Sequence, residues 1–139
     1  NKMEKEDMSE IKRKEFTYRG KTVEELKKLD VREFAKYLKS GPRRTILRQF
    51  QQTENFISRS KAKMAKNKPI RTHERSFIIV PEMVGMKISI HDGRNFVPVT
   101  IIGDMLGHRF GEFALTRSKV KHSKAGIGAT KGSKFKSKK

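Results

Sequence analysis

The sequence has no cysteine and no tryptophan among its 139 residues. Lack of thiols excludes disulfide bridges and thiolate metal sites, and says little about compartment. Acidic side chains are scarce as well: fifteen against thirty-four Lys and Arg, a formal net charge of +19. No apolar run approaches the roughly 20 residues needed to span a bilayer. No signal-like apolar stretch stands near the N-terminus, so the default expectation is a cytosolic protein. No helix pattern carries the large apolar face of a membrane-surface protein. Hydrophobic residues make up 34% of the chain. That is low for a globular protein, so one domain with extensions that lack a core of their own is expected.

Catalytic and cofactor signatures are also missing. The four histidines, His73, His91, His108 and His122, form no i,i+4 pair with one another and lie near no carboxylate cluster, which argues against a metal site. No phosphate-cradling glycine motif follows a strand pattern. Gly126-Ile127-Gly128 falls in a basic, low-complexity stretch where flexible spacing explains it better. Gly93-Arg94-Asn95-Phe96-Val97 shares only the start of an RNA-recognition-motif strand. The reading is a non-enzyme without cofactor or metal. His91 and His108 are read as hydrogen-bonding or RNA-contacting residues.

What the chain does have is charge sorted into blocks. Residues 39–75 hold eleven Lys or Arg and two acids, and residues 117–139 hold nine and none. Between them, residues 76–116 carry three basic and four acidic side chains with most of the β-branched and aromatic residues. Two such blocks repel themselves unless a polyanion neutralises them. Nucleic acid is the first candidate, because each phosphate bound by Lys or Arg releases a counterion. Few aromatics are free of the core, so shape and phosphate geometry, as in structured RNA, are expected to dominate over base stacking. Candidate phosphate contacts from charge alone are Arg43, Arg44, Arg48 and Lys66, with Lys87 and Arg94 in the neutral module.

Local patterns give a coarse organisation. Thr22-Val23-Glu24-Glu25 and Asp30-Val31-Arg32-Glu33 each fit a capping box. After the second, Val31, Phe34, Ala35 and Leu38 make one apolar helix face. Ser40-Gly41-Pro42 reads as a break, followed by a basic helix and linker to Lys68. Phe77–Val80 reads as a buried strand stopped by Pro81. Met86–His91 and Arg94–Ile101 read as a hairpin turned at Asp92-Gly93 by a type I′ turn. Pro98 places the second of these strands at an edge or bulge. Gly103, Gly107 and Gly111 recur around His108-Arg109-Phe110 and imply tight turns or close backbone approach. The division is an N-terminal helical extension with basic segment (1–67), an α+β core (68–117) and a basic unstructured tail (118–139). The fold class is α+β: a small antiparallel sheet with a central hairpin, N-terminal helices and a long basic C-terminal extension.

Three stretches then carry a resemblance. They are Lys68-Pro69-Ile70-Arg71-Thr72-His73 with Ile79-Val80-Pro81-Glu82-Met83-Val84-Gly85; His91-Asp92-Gly93-Arg94 with Phe96-Val97-Pro98-Val99; and Met105 to Arg117, containing Gly107-His108, Gly111-Glu112-Phe113-Ala114 and Thr116-Arg117. Together they resemble the small-subunit ribosomal protein S19 family, numbered fifteen in eukaryotes. Phe16-Thr17-Tyr18-Arg19-Gly20 and Gly126-Ile127-Gly128-Ala129-Thr130 are similar to its archaeal and eukaryotic branch, and Val97-Pro98-Val99 favours the archaeal form. Ser40 to Asn67 diverges from the family's usual Arg-rich helix, and Ala125 stands where proline is common.

The resemblance implies a structural constituent of the small-subunit head. Its partners would be the 3′ major domain of small-subunit rRNA, ribosomal protein S13 and, through the tail near the decoding region, tRNA. It implies rRNA contacts at Lys68, Arg71, Thr72, Arg75, His108, Arg109, Thr116 and Arg117. They continue into the tail at Lys119, Lys121, His122 and Lys124, with Lys131, Lys134 and Lys136 nearer tRNA. The rival readings are a nucleoid or chromatin-type DNA-binding protein, which fits the composition but not these motifs, and an RNA-processing enzyme. The acids of residues 76–116 are too scattered for the latter.

Overall fold

The computed structural model describes residues 15–121, 126 and 131–132. It begins with two short strands, β1 (Thr17–Tyr18) and β2 (Lys21–Thr22), joined by Arg19 and Gly20, both at positive φ. Positive φ at both loop residues is what a type I′ turn requires. Thr22 then caps α1 (Val23–Lys27): its hydroxyl accepts from the Glu25 N–H at 3.3 Å, and the Glu25 carboxylate accepts from the Thr22 N–H at 3.2 Å. The second expected box opens α2 (Val31–Ala35), where the Glu33 carboxylate reaches back to the Asp30 N–H at 3.4 Å. Val31, Phe34, Ala35 and Leu38 are all buried, as their spacing requires.

The expected break at Ser40-Gly41-Pro42 is instead the first turn of α3 (Ser40–Arg48). Proline is tolerated there because the N–H groups of a first helical turn have no intrahelical acceptor. The interruption comes at Gln49, whose backbone leaves helical geometry before α4 (Phe50–Ala65). Helix α4 buries Thr53, Phe56, Ile57 and Ser60 and turns Arg59, Lys61 and Lys63 outward. The buried Thr53 hydroxyl donates to the Gln49 carbonyl at 3.0 Å.

A three-stranded sheet follows in the order β3 (Ile70–Thr72), β4 (Lys87–His91), β5 (Phe96–Thr100). The hairpin β4–β5 is antiparallel with Ile88 opposite Val99 and Ile90 opposite Val97, and β5, with Pro98, lies at the edge as expected. Two details differ from expectation. β3 pairs with β4 in parallel, so this sheet is mixed; the chain makes a long excursion over residues 73–86 before re-entering in the same direction. The hairpin also turns through the four residues 92–95, with only Gly93 at positive φ. The Asp92 carboxylate closes that loop, accepting from the N–H groups of Arg94 (2.8 Å) and Asn95 (2.7 Å). An Asx-type closure replaces the two-residue turn.

Phe77–Val80 is fully buried, as expected, but forms no strand of the sheet. Its backbone partners are in the glycine-rich loop: Ile79 N–H donates to the His108 carbonyl, Gly107 N–H to Ile79, and Phe110 N–H to Phe77, at 2.8–3.1 Å. Gly107 sits at φ +80°, and a Cβ built on it would stand 2.9 Å from Leu38 Cδ2. Only glycine meets both conditions.

One core unites these parts. Leu26, Phe34, Leu38, Ile46, Phe56 and Ile57 belong to the same buried cluster as Ile78–Val80, Met83, Ile88, Ile90 and Phe110. Phe56 of α4 packs edge-on against Phe77 and Phe110, with ring centroids at 5.6 and 5.7 Å. The core therefore crosses residue 67, and the helices before it supply one side of the layer that covers the sheet.

Candidate nucleic-acid interface

The basic residues fall into two kinds, those engaged with the protein's own backbone and those facing outward. Arg43 is of the first kind. Its guanidinium donates to the carbonyls of Ala35 (3.1 Å), Lys36 (3.0 Å) and Leu38 (3.0 Å), closing the end of α2. Carbonyls at a helix end have no intrahelical donor, so this arginine completes the fold. Arg75 is similar: half-buried, it donates to the carbonyls of His91, Gly111 (2.9 Å) and Ala114. Thr72 is buried, and its hydroxyl accepts from the Glu74 N–H at 3.0 Å. These three positions, expected to meet RNA, have structural engagements of their own.

The outward cations form three groups. Arg44 and Arg48 are exposed on α3, and Arg109 reaches the same region by donating to the Thr45 hydroxyl at 3.3 Å. His108 and Glu112 pair beside it, Nδ1 to Oε2 at 2.6 Å, so an acid adjoins two of the expected contacts. A second group gathers where α4 meets the sheet: Lys66, Lys68, Arg71 and Lys87 are all exposed. Arg71 points outward because the flanking Ile70 and Thr72 point inward, the period-two rule of a strand. The third group is Arg94 on the hairpin loop with Thr116, Arg117, Lys119 and Lys121, which line a shallow depression of about 640 Å³ with Asp92. Lys131 is exposed in a turn. His122, Lys124, Lys134 and Lys136 lie outside the described residues.

Charge compensation on this surface is sparse. Among the described residues there are two ion pairs, Lys61–Glu82 and His108–Glu112. Asp92 has its carboxyl held below the ordinary carboxylate range by the backbone N–H groups of Asn95 and Arg94. A group lowered in this way adds stability above the ordinary carboxylate range and loses that contribution as pH falls through the lowered value. The hairpin loop is thus fastened at neutral pH.

Sequence reasoning missed one cluster. The rings of His73 and His91 lie 4.4 Å apart at 34°, and Phe96 meets both edge-on at 5.1 and 4.9 Å. Arg71 stands over the Phe96 ring at 5.3 Å. His91 Nδ1 also accepts from the Gly93 N–H at 3.0 Å, the hydrogen-bonding role expected of it. These residues meet only because β3 runs parallel to β4, and no local period announces that pairing. The one signal in the sequence was that Arg71 and His73 share a strand face in alternation.

Arginines and lysines on rigid elements, with few acids among them, are the kind of arrangement that suits phosphate groups. No group of three or more His, Asp or Glu among the described residues could hold a metal ion. No helix among them is long and apolar enough to cross a membrane. Residues 39–122 match the family model for ribosomal protein S19. The small ribosomal subunit protein uS19 of Methanocorpusculum labreanum is 47% identical over 124 residues, which cover 89% of each chain. That alignment is too long for the three quoted stretches alone to account for, and it extends the likeness into the N-terminal helices. With a match over more than half its length and a relative of this identity, the chain belongs to the ribosomal protein S19 family.

Proposed function

We propose that this chain is a structural constituent of the small ribosomal subunit, held to rRNA through its outward cations and not an enzyme. The observation that carries the reading is the second cation group. Arg71 in β3, Lys87 at the start of β4 and Lys68 just before β3 stand beside residues buried in the core (Ile70, Thr72 and Ile88), so their spacing exists before any RNA arrives. Preset spacing lowers the ordering cost of binding. Arg44, Arg48 and Arg109 add a second set of outward cations, and Arg94, Arg117, Lys119 and Lys121 a third. The family resemblance supports the finer assignment: the 3′ major domain in the subunit head, ribosomal protein S13 as neighbour, and a tail directed toward tRNA at the decoding region. The ribosome in turn places the chain in the cytoplasm.

Sedimentation tests the reading. A tagged copy from its own cells, run through a sucrose gradient at moderate salt and after a high-salt wash, is expected to stay with the small subunit in both. A peak at the top of the gradient, or one travelling with chromosomal DNA, would overturn it in favour of a general basic nucleic-acid binder.

A further inference from the structure

Between α4 and β3 lies a cleft of about 280 Å³. One wall carries Arg59 and Lys63 from the exposed face of α4, the other Arg71 of β3 and His73 just after it, and Phe56, Ile70 and Phe77 line its floor. Glu74 is the single acid on its rim. The volume is below the roughly 300–1,000 Å³ of sites for drug-sized ligands, so one small flat ring system is the scale that fits. A purely phosphate-binding surface has no need of an apolar floor. A protein partner's acidic segment would meet the cations but leave that floor and the imidazole unused.

The His73 ring is exposed yet fixed in orientation, tilted against the His91 ring and held edge-on by Phe96. An aromatic ring held in place at the edge of a cationic cleft is the arrangement by which single-stranded nucleic acid is gripped, base on ring and backbone on cations. We propose that this cleft takes one unstacked base of the RNA, laid on His73, with its flanking phosphates on Arg59, Lys63 and Arg71. The inference rests on the rRNA-binding reading above and adds a base contact that charge alone does not supply.

The test measures binding of the full-length chain to a transcript of the small-subunit rRNA 3′ major domain across a salt series. His73→Ala is expected to weaken binding about tenfold, the order of one stacked base, with the salt slope unchanged. His73→Phe, which keeps a stacking face, is expected to bind as the unaltered chain does. Lys63→Gln should lower the magnitude of the salt slope by roughly 0.7, one phosphate contact to a single strand. Unchanged binding by His73→Ala, or equal loss in both His73 variants, overturns the base contact while leaving rRNA binding intact. Failure of the unaltered chain to bind the transcript overturns the rRNA reading itself, and the cleft assignment with it. As a readout independent of variant folding, ultraviolet cross-linking of the native complex should join a base to residues 71–73. Cross-links confined to other segments overturn the assignment.

Discussion

Helix α4 and the segment 115–121 are both basic and carry their charge in opposite ways. Arg59, Lys61 and Lys63 stand on a helix whose other side is fixed by Thr53, Phe56, Ile57 and Ser60 in the core. Arg117, Lys119 and Lys121 stand on a stretch with no helix or strand, where even Leu115 and Val120 are 76% and 70% exposed. Cations of the first kind hold their spacing before a partner is met. Those of the second take their spacing from whatever they bind, at the entropic cost of ordering the chain. A basic protein can thus combine a preset surface with an adaptable one, and the two should answer differently to mutation.

Breaking the anchor of α4 should have the largest effect. Phe56→Ala removes a ring packed on both Phe77 and Phe110, and about 3–5 kcal/mol of stability is expected to go with it. Thermal unfolding should fall by roughly 10 °C, given the few degrees per kcal/mol typical of this chain length. A shift of only a degree or two would show that α4 does not depend on this contact. A pair of arginine variants sharpens the contrast between inward and outward cations. Arg75→Met strands three backbone carbonyls and should cost about 2–3 kcal/mol in denaturant titration. Arg71→Met should stay within about 0.5 kcal/mol of the parent in stability and still weaken rRNA binding. Equal destabilisation by both would erase the distinction. The smallest stability change belongs to removal of residues 118–139: no shift in melting temperature, but a shallower salt slope, by roughly 0.7–0.9 for each phosphate the shortened chain no longer neutralises. A melting shift of several degrees would mean that this stretch packs on the core.

What could be read from sequence was whatever a short window encodes. Thr22–Glu25, the Val31–Leu38 face, the β4–β5 hairpin and the edge position of Pro98 all follow from spacing within one element. The failures are non-local or conditional. β3 parallel to β4 depends on where an excursion of the chain returns. Phe77–Val80 found its backbone partners in residues 107–110 and not in a strand. Ser40-Gly41-Pro42 carries a break signal that a first helical turn can absorb, and Asp92-Gly93 carries a turn signal that a side-chain acceptor lengthened. At the candidate site, charge pointed to a basic surface, but nothing in it separated Arg43 and Arg75, turned to carbonyls, from Arg44 and Arg71, turned outward. The His73–His91–Phe96 cluster exists only once the sheet is assembled.

The Arg75 clamp has a geometric consequence. By gripping the carbonyls of His91, Gly111 and Ala114 together, it ties the hairpin and the glycine-rich loop at one point and makes Ala114 the post of a tether. Residues 115–121 leave from that post, so the start of this basic stretch is set relative to the hairpin and the glycine-rich loop at once. Cutting the clamp would loosen that post and let the hairpin and the glycine-rich loop shift relative to one another.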